Sequence, residues 1–215
     1  SMERVLLLLS YRPEFRPGWG HYSHLTPLVL KPLSESGAAA ILASTLDVQT
    51  LPDGLAQMVH ARTEGNPFFI EEVALSLAEE GLVRQEDGRA VLIRPLKEIH
   101  LPDTVQAIVR ARMDRLGEHS REILRLASVV GREFTENLVA RLSEQKDPVR
   151  RYLGELKTLE MILEKRFQPE LEYMFKHAIT HEVAYASLLL SRRRALHRLV
   201  GAGIEELYAE RLPEF

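Results

Sequence analysis

The sequence predicts a mainly α-helical chain: a helical domain with a short hairpin, then a second helical domain that closes in a β-ribbon, preceded by one orphan β-strand. Three observations predict it. From Ser34 onward, apolar residues recur at helical spacing, with Pro and Gly marking starts and stops. Two short stretches of strand character, at 161–165 and 171–175, follow most of the helices. One continuous apolar run, Val5–Leu9, stands apart in front of them.

Val5–Leu9 suits a central strand of a parallel sheet, buried on both faces. Pro13 and Pro17 stop it, and nothing nearby reads as its sheet partner. Residues 1–33 are therefore expected to be the last strand and linker of an α/β domain whose remainder is missing.

Residues 34–101 read as three short helices and a hairpin. Ser34 is a plausible N-cap, with Ala38, Ile41, Leu42, Thr45 and Leu46 on one face. Pro52 opens a second helix, whose inward residues are Leu55, Met58 and Val59 and which Gly65 ends. Asn66 caps a third, with Pro67 at its first position and Ile70, Val73, Ala74 and Leu77 as its stripe. Gly81 closes it. Asp87-Gly88 between short apolar segments predicts a hairpin within 82–93. Pro95 to Pro102 reads as a linker.

Residues 102–190 form the second domain. Asp103 and Gln106 resemble a capping box ahead of Val105, Ile108, Val109, Met113 and Leu116. Gly117 stops that helix. Ile123, Leu124, Ala127 and Val130 mark the next, up to Gly131. Thr135 and then Asp147-Pro148 open two more, and Met161–Lys165 and Leu171–Phe175 read as strands. Helices followed by a two-stranded ribbon give the order of a winged helix-turn-helix. Two final helices are expected, over about 177–190 and 191–211, the second beginning a C-terminal helical region that covers 191–215.

The 215 residues are 45% hydrophobic and 27% charged, with a net charge of −3. That balance is unlike the strongly basic surface of a dedicated nucleic-acid binder. With no cysteine, a disulfide framework and a cysteine zinc site are both excluded.

Three motifs carry candidate chemistry. Arg12 follows the apolar run, and an arginine at the C-terminal end of a central parallel strand points into the crevice where nucleotides bind. Its forked cation suits a terminal phosphate; on spacing alone the plainer reading is a surface arginine before a proline turn. Gly65-Asn66-Pro67 brings backbone close to its neighbour and turns a helix N-terminus outward. The plain alternative is a helix-to-helix turn with two core phenylalanines. His177, between a strand and a helix, can donate to a phosphate oxygen. His177 and His181 lie i, i+4, but Glu182 follows the second histidine, so the H-E-x-x-H order of a zinc site fails. Arg192, Arg193, Arg194, His197 and Arg198 form a basic cluster, read as a solvated helix face or as a phosphate contact. No phosphate-cradling G-x-x-x-x-G-K-[ST] loop and no nucleophile–base pairing is present.

Taken in order, Ser-Tyr-Arg (10–12), Gly-Asn-Pro-Phe-Phe-Ile-Glu-Glu (65–72), Leu-Pro-Asp-Thr-Val-Gln-Ala (101–107), Val-Gly-Arg-Glu-Phe (130–134) and Phe-Lys-His-Ala (175–178) resemble the STAND-class ATPases of large bacterial regulators. The resemblance runs from about Val5 to Tyr208. It implies a helical lid over 34–101, a winged-helix domain over 102–190, and a remnant of the nucleotide-binding domain over 1–33. It implies that Arg12 reads the γ-phosphate, that Gly65 and Pro67 form the lid's glycine-x-proline motif, and that His177 contacts the ADP β-phosphate. Lys176 and Ala178 flank His177, so the aspartate of the family's methionine-histidine-aspartate motif is absent. It further implies ATP or ADP with magnesium as cofactors of the parent chain, bound by an upstream P-loop domain. Downstream helical repeats, self-association and a cytoplasmic location complete the expectation. On this reading the stretch has no catalysis of its own. A winged-helix DNA-binding regulator is the alternative.

Overall fold

A computed structural model describes residues 5–12, 15, 18, 25–143, 148–166 and 170–209. The chain divides into two compact units, Ser1–Lys31 and Pro32–Phe215. In the first, the described residues form neither helix nor strand. The strand expected at Val5–Leu9 is not there: all five side chains are exposed, from 54% at Leu9 to 83% at Val5. A strand exists only by pairing, and no described strand pairs with this run.

The second unit is mainly α-helical with two small antiparallel sheets. It opens with α1 (Glu35–Thr45), capped by the Ser34 hydroxyl, which accepts from the Gly37 N–H at 3.3 Å. The second helix, α2 (Leu55–Thr63), begins three residues after Pro52, because Gly54 takes a left-handed conformation and restarts the chain. Asn66 caps α3 (Pro67–Glu79) by accepting from the Phe69 N–H. Next come β1 (Val83–Glu86) and β2 (Arg89–Leu92), antiparallel across Asp87-Gly88. Both turn residues are left-handed, the pairing that matches strand twist in a two-residue hairpin. The Gln49 N–H donates to the Gly88 carbonyl at 2.7 Å, tying the α1–α2 connection to the hairpin. Ala38, Leu42, Leu55, Val59, Ile70 and Val73 are fully buried at the centre of this part.

After a 3-10 turn at Leu96–Glu98 come α4 (Val105–Arg115), α5 (Glu118–Val130), β3 (Glu133–Thr135), α6 (Glu136–Leu142), α7 (Val149–Thr158), β4 (Ile162–Arg166) and β5 (Glu172–Phe175). Then follow α8 (Ala178–Ala186) and α9 (Leu190–Leu207). Thr104, not Asp103, caps α4, accepting from the Ala107 N–H. Asp147 lies outside the described residues. The sheet order is β3-β5-β4, all antiparallel. The β3 strand was not anticipated; it is three residues long and exists by pairing Phe134 with Tyr173 on β5. Leu124, Leu153, Leu156, Ile162 and Phe175 are the buried centre of this second cluster, which α9 joins through Leu196 and Val200.

Among the described residues, no helix is long and apolar enough to cross a membrane.

Candidate functional site

The motif at 65–72 is built from its turn. Gly65 has φ +72, and a Cβ there would sit 2.3 Å from the Leu33 carbonyl oxygen. The Leu33 N–H donates to the Gly65 carbonyl at 2.9 Å, and the His60 Nε2 donates to the Leu33 carbonyl at 2.9 Å. Only glycine satisfies both the left-handed backbone and the close approach. Pro67 then starts α3 where its missing N–H costs nothing.

The next residue, Phe68, carries the motif to His177. Their ring centroids are 4.0 Å apart at 40°. His177 lies at the N-cap of α8, just after β5, so strand and helix together fix its ring. Its Nε2 is buried without a hydrogen-bond partner, and the nearest carboxylate oxygen, on Glu71, is 3.7 Å away. Burial pushes the imidazole below its ordinary value; Lys176 and Arg112 push the same way, while Glu71 and Glu160 pull against them. Burial thus disfavours the charged imidazole, although a carboxylate stands close.

The glutamates of the motif face different cations. Glu71 accepts from Lys176 Nζ, which also donates to Glu160 at 2.6 Å. Burial opposes the Lys176 charge, but these two carboxylates outweigh it and raise its pKa. Glu72, only 2% exposed, accepts from Arg112 Nη1 at 2.7 Å. Arg112, also 2% exposed, donates through Nε and Nη2 to Glu79 at 2.9 and 2.6 Å, and through Nη2 to the Leu159 carbonyl at 2.6 Å. Arg115 adds bonds to Ser76, Glu79 and Glu80. Burial raises the Glu72 pKa; Arg112 lowers it through charge and hydrogen bond, but repulsion from Glu71 and Glu79 adds to burial and the net shift is upward. Arg112 is also pushed down by burial, yet its bonds to Glu79 and Glu72 leave its pKa raised. The guanidinium is over-supplied with acceptors while Glu72 has a single cation.

The structure thus brings His177 against Phe68, the residue that follows the Gly65-Asn66-Pro67 turn. Arg12 lies in the first unit, exposed and outside any strand, so its expected position at a strand end is not found. Sequence reasoning missed Glu71, Glu72, Glu79 and Arg112. The available signal was a second stripe on α3, Glu72, Ser76 and Glu79 at i, i+4 and i+7, opposite the apolar one. Such a stripe usually faces water, and here it meets the arginines of α4.

The other candidates are employed elsewhere. His181 Nε2 donates to the Ser128 carbonyl at 2.9 Å, with its ring against Phe175 and Tyr185. Arg193 lies over the Tyr185 ring and donates to the Leu188 and Ala186 carbonyls at the end of α8. Arg192, Arg194 and Arg198 are exposed on α9.

A family model described as a domain of unknown function, DUF8739, matches residues 34–91, the stretch from the Ser34 cap through α3 into β2. No curated protein matches the chain.

Proposed function

We propose that the chain is the lid and winged-helix portion of a STAND-type ATPase switch, contributing one wall of an ADP/ATP site that an upstream P-loop domain completes. One observation carries the reading: the glycine-x-proline turn and His177, 112 positions apart from Gly65 in sequence, share a seam through the Phe68–His177 ring contact. The order α5, β3, α6, α7, β4, β5 with sheet order β3-β5-β4 supports a winged helix, and the three helices before it support a lid. In this reading residues 34–101 are the lid, 102–190 the winged helix and 191–215 the start of a further helical region. Residues 1–33 are assigned to the nucleotide-binding domain, and Arg12 to the terminal phosphate, on the resemblance alone, since the described part forms no strand and Arg12 stands at no strand end.

The chain's own residues would act by binding and closure. His177 has Nε2 turned into the seam, so Nδ1–H is the donor left for a phosphate oxygen. A neutral donor suits a switch, since it binds the anion without adding a full charge. Nucleotide with magnesium would be held by the upstream P-loop; these residues would sense it, with no catalysis of their own. Downstream helical repeats and self-association in a cytoplasmic signalling protein complete the proposal.

The test is His177→Ala in the intact parent chain. A hydrogen bond to a charged group is worth roughly 1.5–3 kcal/mol, so ADP should leave about ten- to a hundredfold faster. An unchanged ADP off-rate with a lowered melting temperature would make His177 a packing residue and remove the nucleotide reading.

A further inference from the structure

Arg112 occupies a place that no motif singled out. It sits on α4, yet its guanidinium bonds α3 through Glu72 and Glu79 and the end of α7 through the Leu159 carbonyl. All three of its nitrogens are used. Two residues beyond Leu159, the Met161 carbonyl accepts from the Lys176 N–H, one position before His177. On α3, Glu72 is adjacent to Glu71, the partner of Lys176. Arg112 therefore fixes both edges of the seam from behind: the helix that carries Phe68 and Glu71, and the chain end that leads to β4 beside β5.

We propose that Arg112 is a positioning residue, a latch that seats α3 against the end of α7 and so sets the register of Phe68 on His177. The charges of the seam explain why one residue has this weight. Arg112, Arg115 and Lys176 face Glu71, Glu72, Glu79, Glu80 and Glu160. Three cations hold five carboxylates, four of them on α3 or its C-cap, so loss of a cation leaves α3 with negative charge that nothing across the seam offsets. Lys176 and Arg115 are partly exposed, and water can replace them; Arg112 and Glu72 are not. The latch needs no nucleotide, so it stands or falls separately from the ADP reading.

The absence of cysteine makes the test direct, because two introduced cysteines are the only labelling sites. Gln57 on α2 and Glu205 on α9 are exposed helical positions. Gln57→Cys and Glu205→Cys, spin-labelled in the nucleotide-free chain, should give one narrow distance distribution. Adding Arg112→Met should broaden it by several ångströms or split it, with far-ultraviolet circular dichroism unchanged. Glu79→Gln, which keeps Arg112 and Glu72, should broaden it less and serves as the deciding variant if Arg112→Met does not fold. A narrow distribution at the original distance in a folded Arg112→Met chain, or in Glu79→Gln where Arg112→Met fails to fold, overturns the latch.

Discussion

Lys176 donates through Nζ to Glu71, 105 residues earlier in the chain, and the same nitrogen reaches Glu160 at 2.6 Å. One ammonium therefore joins the first turns of α3 to the turn between α7 and β4. The neighbouring residue of α3, Glu72, is turned about 100° around the helix and meets Arg112 instead. The adjacent pair of glutamates is thus a two-sided clasp.

The two sides differ in what their loss exposes. Lys176→Met leaves Glu71 and Glu160 partly exposed and able to rehydrate, so the expected cost is about 1 kcal/mol. Arg112→Met leaves Glu72 buried without a cation, for which the expected cost is roughly 3–5 kcal/mol. Urea unfolding of both variants checks the ranking. Equal costs would show that Glu72 rehydrates as readily as Glu71.

Stability should fall as pH drops below about 6.5, and His177 is the reason. Its folded pKa is below the ordinary value, so between the two the unfolded chain is protonated while the native one is not. The unfolded state then binds more protons, and stability rises with pH. The contribution is complete above the unfolded value and is lost as pH falls through the folded one. Glu72, raised from its usual range, has the opposite sign: its contribution is lost as pH rises from the ordinary carboxylate value through the raised one. Melting temperatures of the natural chain and His177→Phe, compared between pH 7.5 and 5.5, isolate the histidine. The natural chain should lose more on acidification; parallel curves would mean that His177 hydrates freely.

Gly65→Ala should destabilise by more than about 1 kcal/mol, since it places a side chain in left-handed backbone and against the Leu33 carbonyl. Gly81→Ala is the matched control, left-handed as well but with nothing within 4 Å. The excess cost of Gly65→Ala over Gly81→Ala measures the Leu33 contact. No excess would show that residue 33 moves aside without penalty.

Sequence-selective DNA retention is not expected. On α7 and the ribbon, Arg150 faces Glu136, Lys157 pairs with Glu164, Lys165 with Glu133, and Arg166 faces Glu172. Each of these four cations is already offered a carboxylate, which reduces the counterion release that drives phosphate binding. A gel-shift at physiological salt showing one sequence retained over random duplex would reverse this and favour the DNA-binding alternative.

The helices of 34–101 were legible because their signals are local. Ser34 and Asn66 cap where their side chains can reach, Pro67 stands at a first turn, and Asp87-Gly88 turns a hairpin. What could not be read was decided by pairing across the fold. The apolar run Val5–Leu9 has strand composition and no described strand beside it, whereas Glu133–Thr135 is too short to show a strand pattern and becomes a strand beside β5. The candidate site follows the same division. The helix-to-helix turn at Gly65 and Pro67 and the strand-to-helix position of His177 are local features, readable from neighbouring residues. Arg112 and Glu72 are ordinary helix residues in sequence, and only the packing of α3 on α4 makes them a buried pair.

Ile108 and Val109 are consecutive on α4, yet the first is buried in the cluster with α1 to α3 and the second in the cluster with α5 to α9. Neighbouring residues project about 100° apart on a helix, so α4 is gripped on two sides like a shaft held in two bearings. Torque applied to one core therefore reaches the other through α4 itself, beside the Phe68–His177 and Glu71–Lys176 contacts. A twist about the α4 axis that frees Ile108 also drags Val109 from its seat.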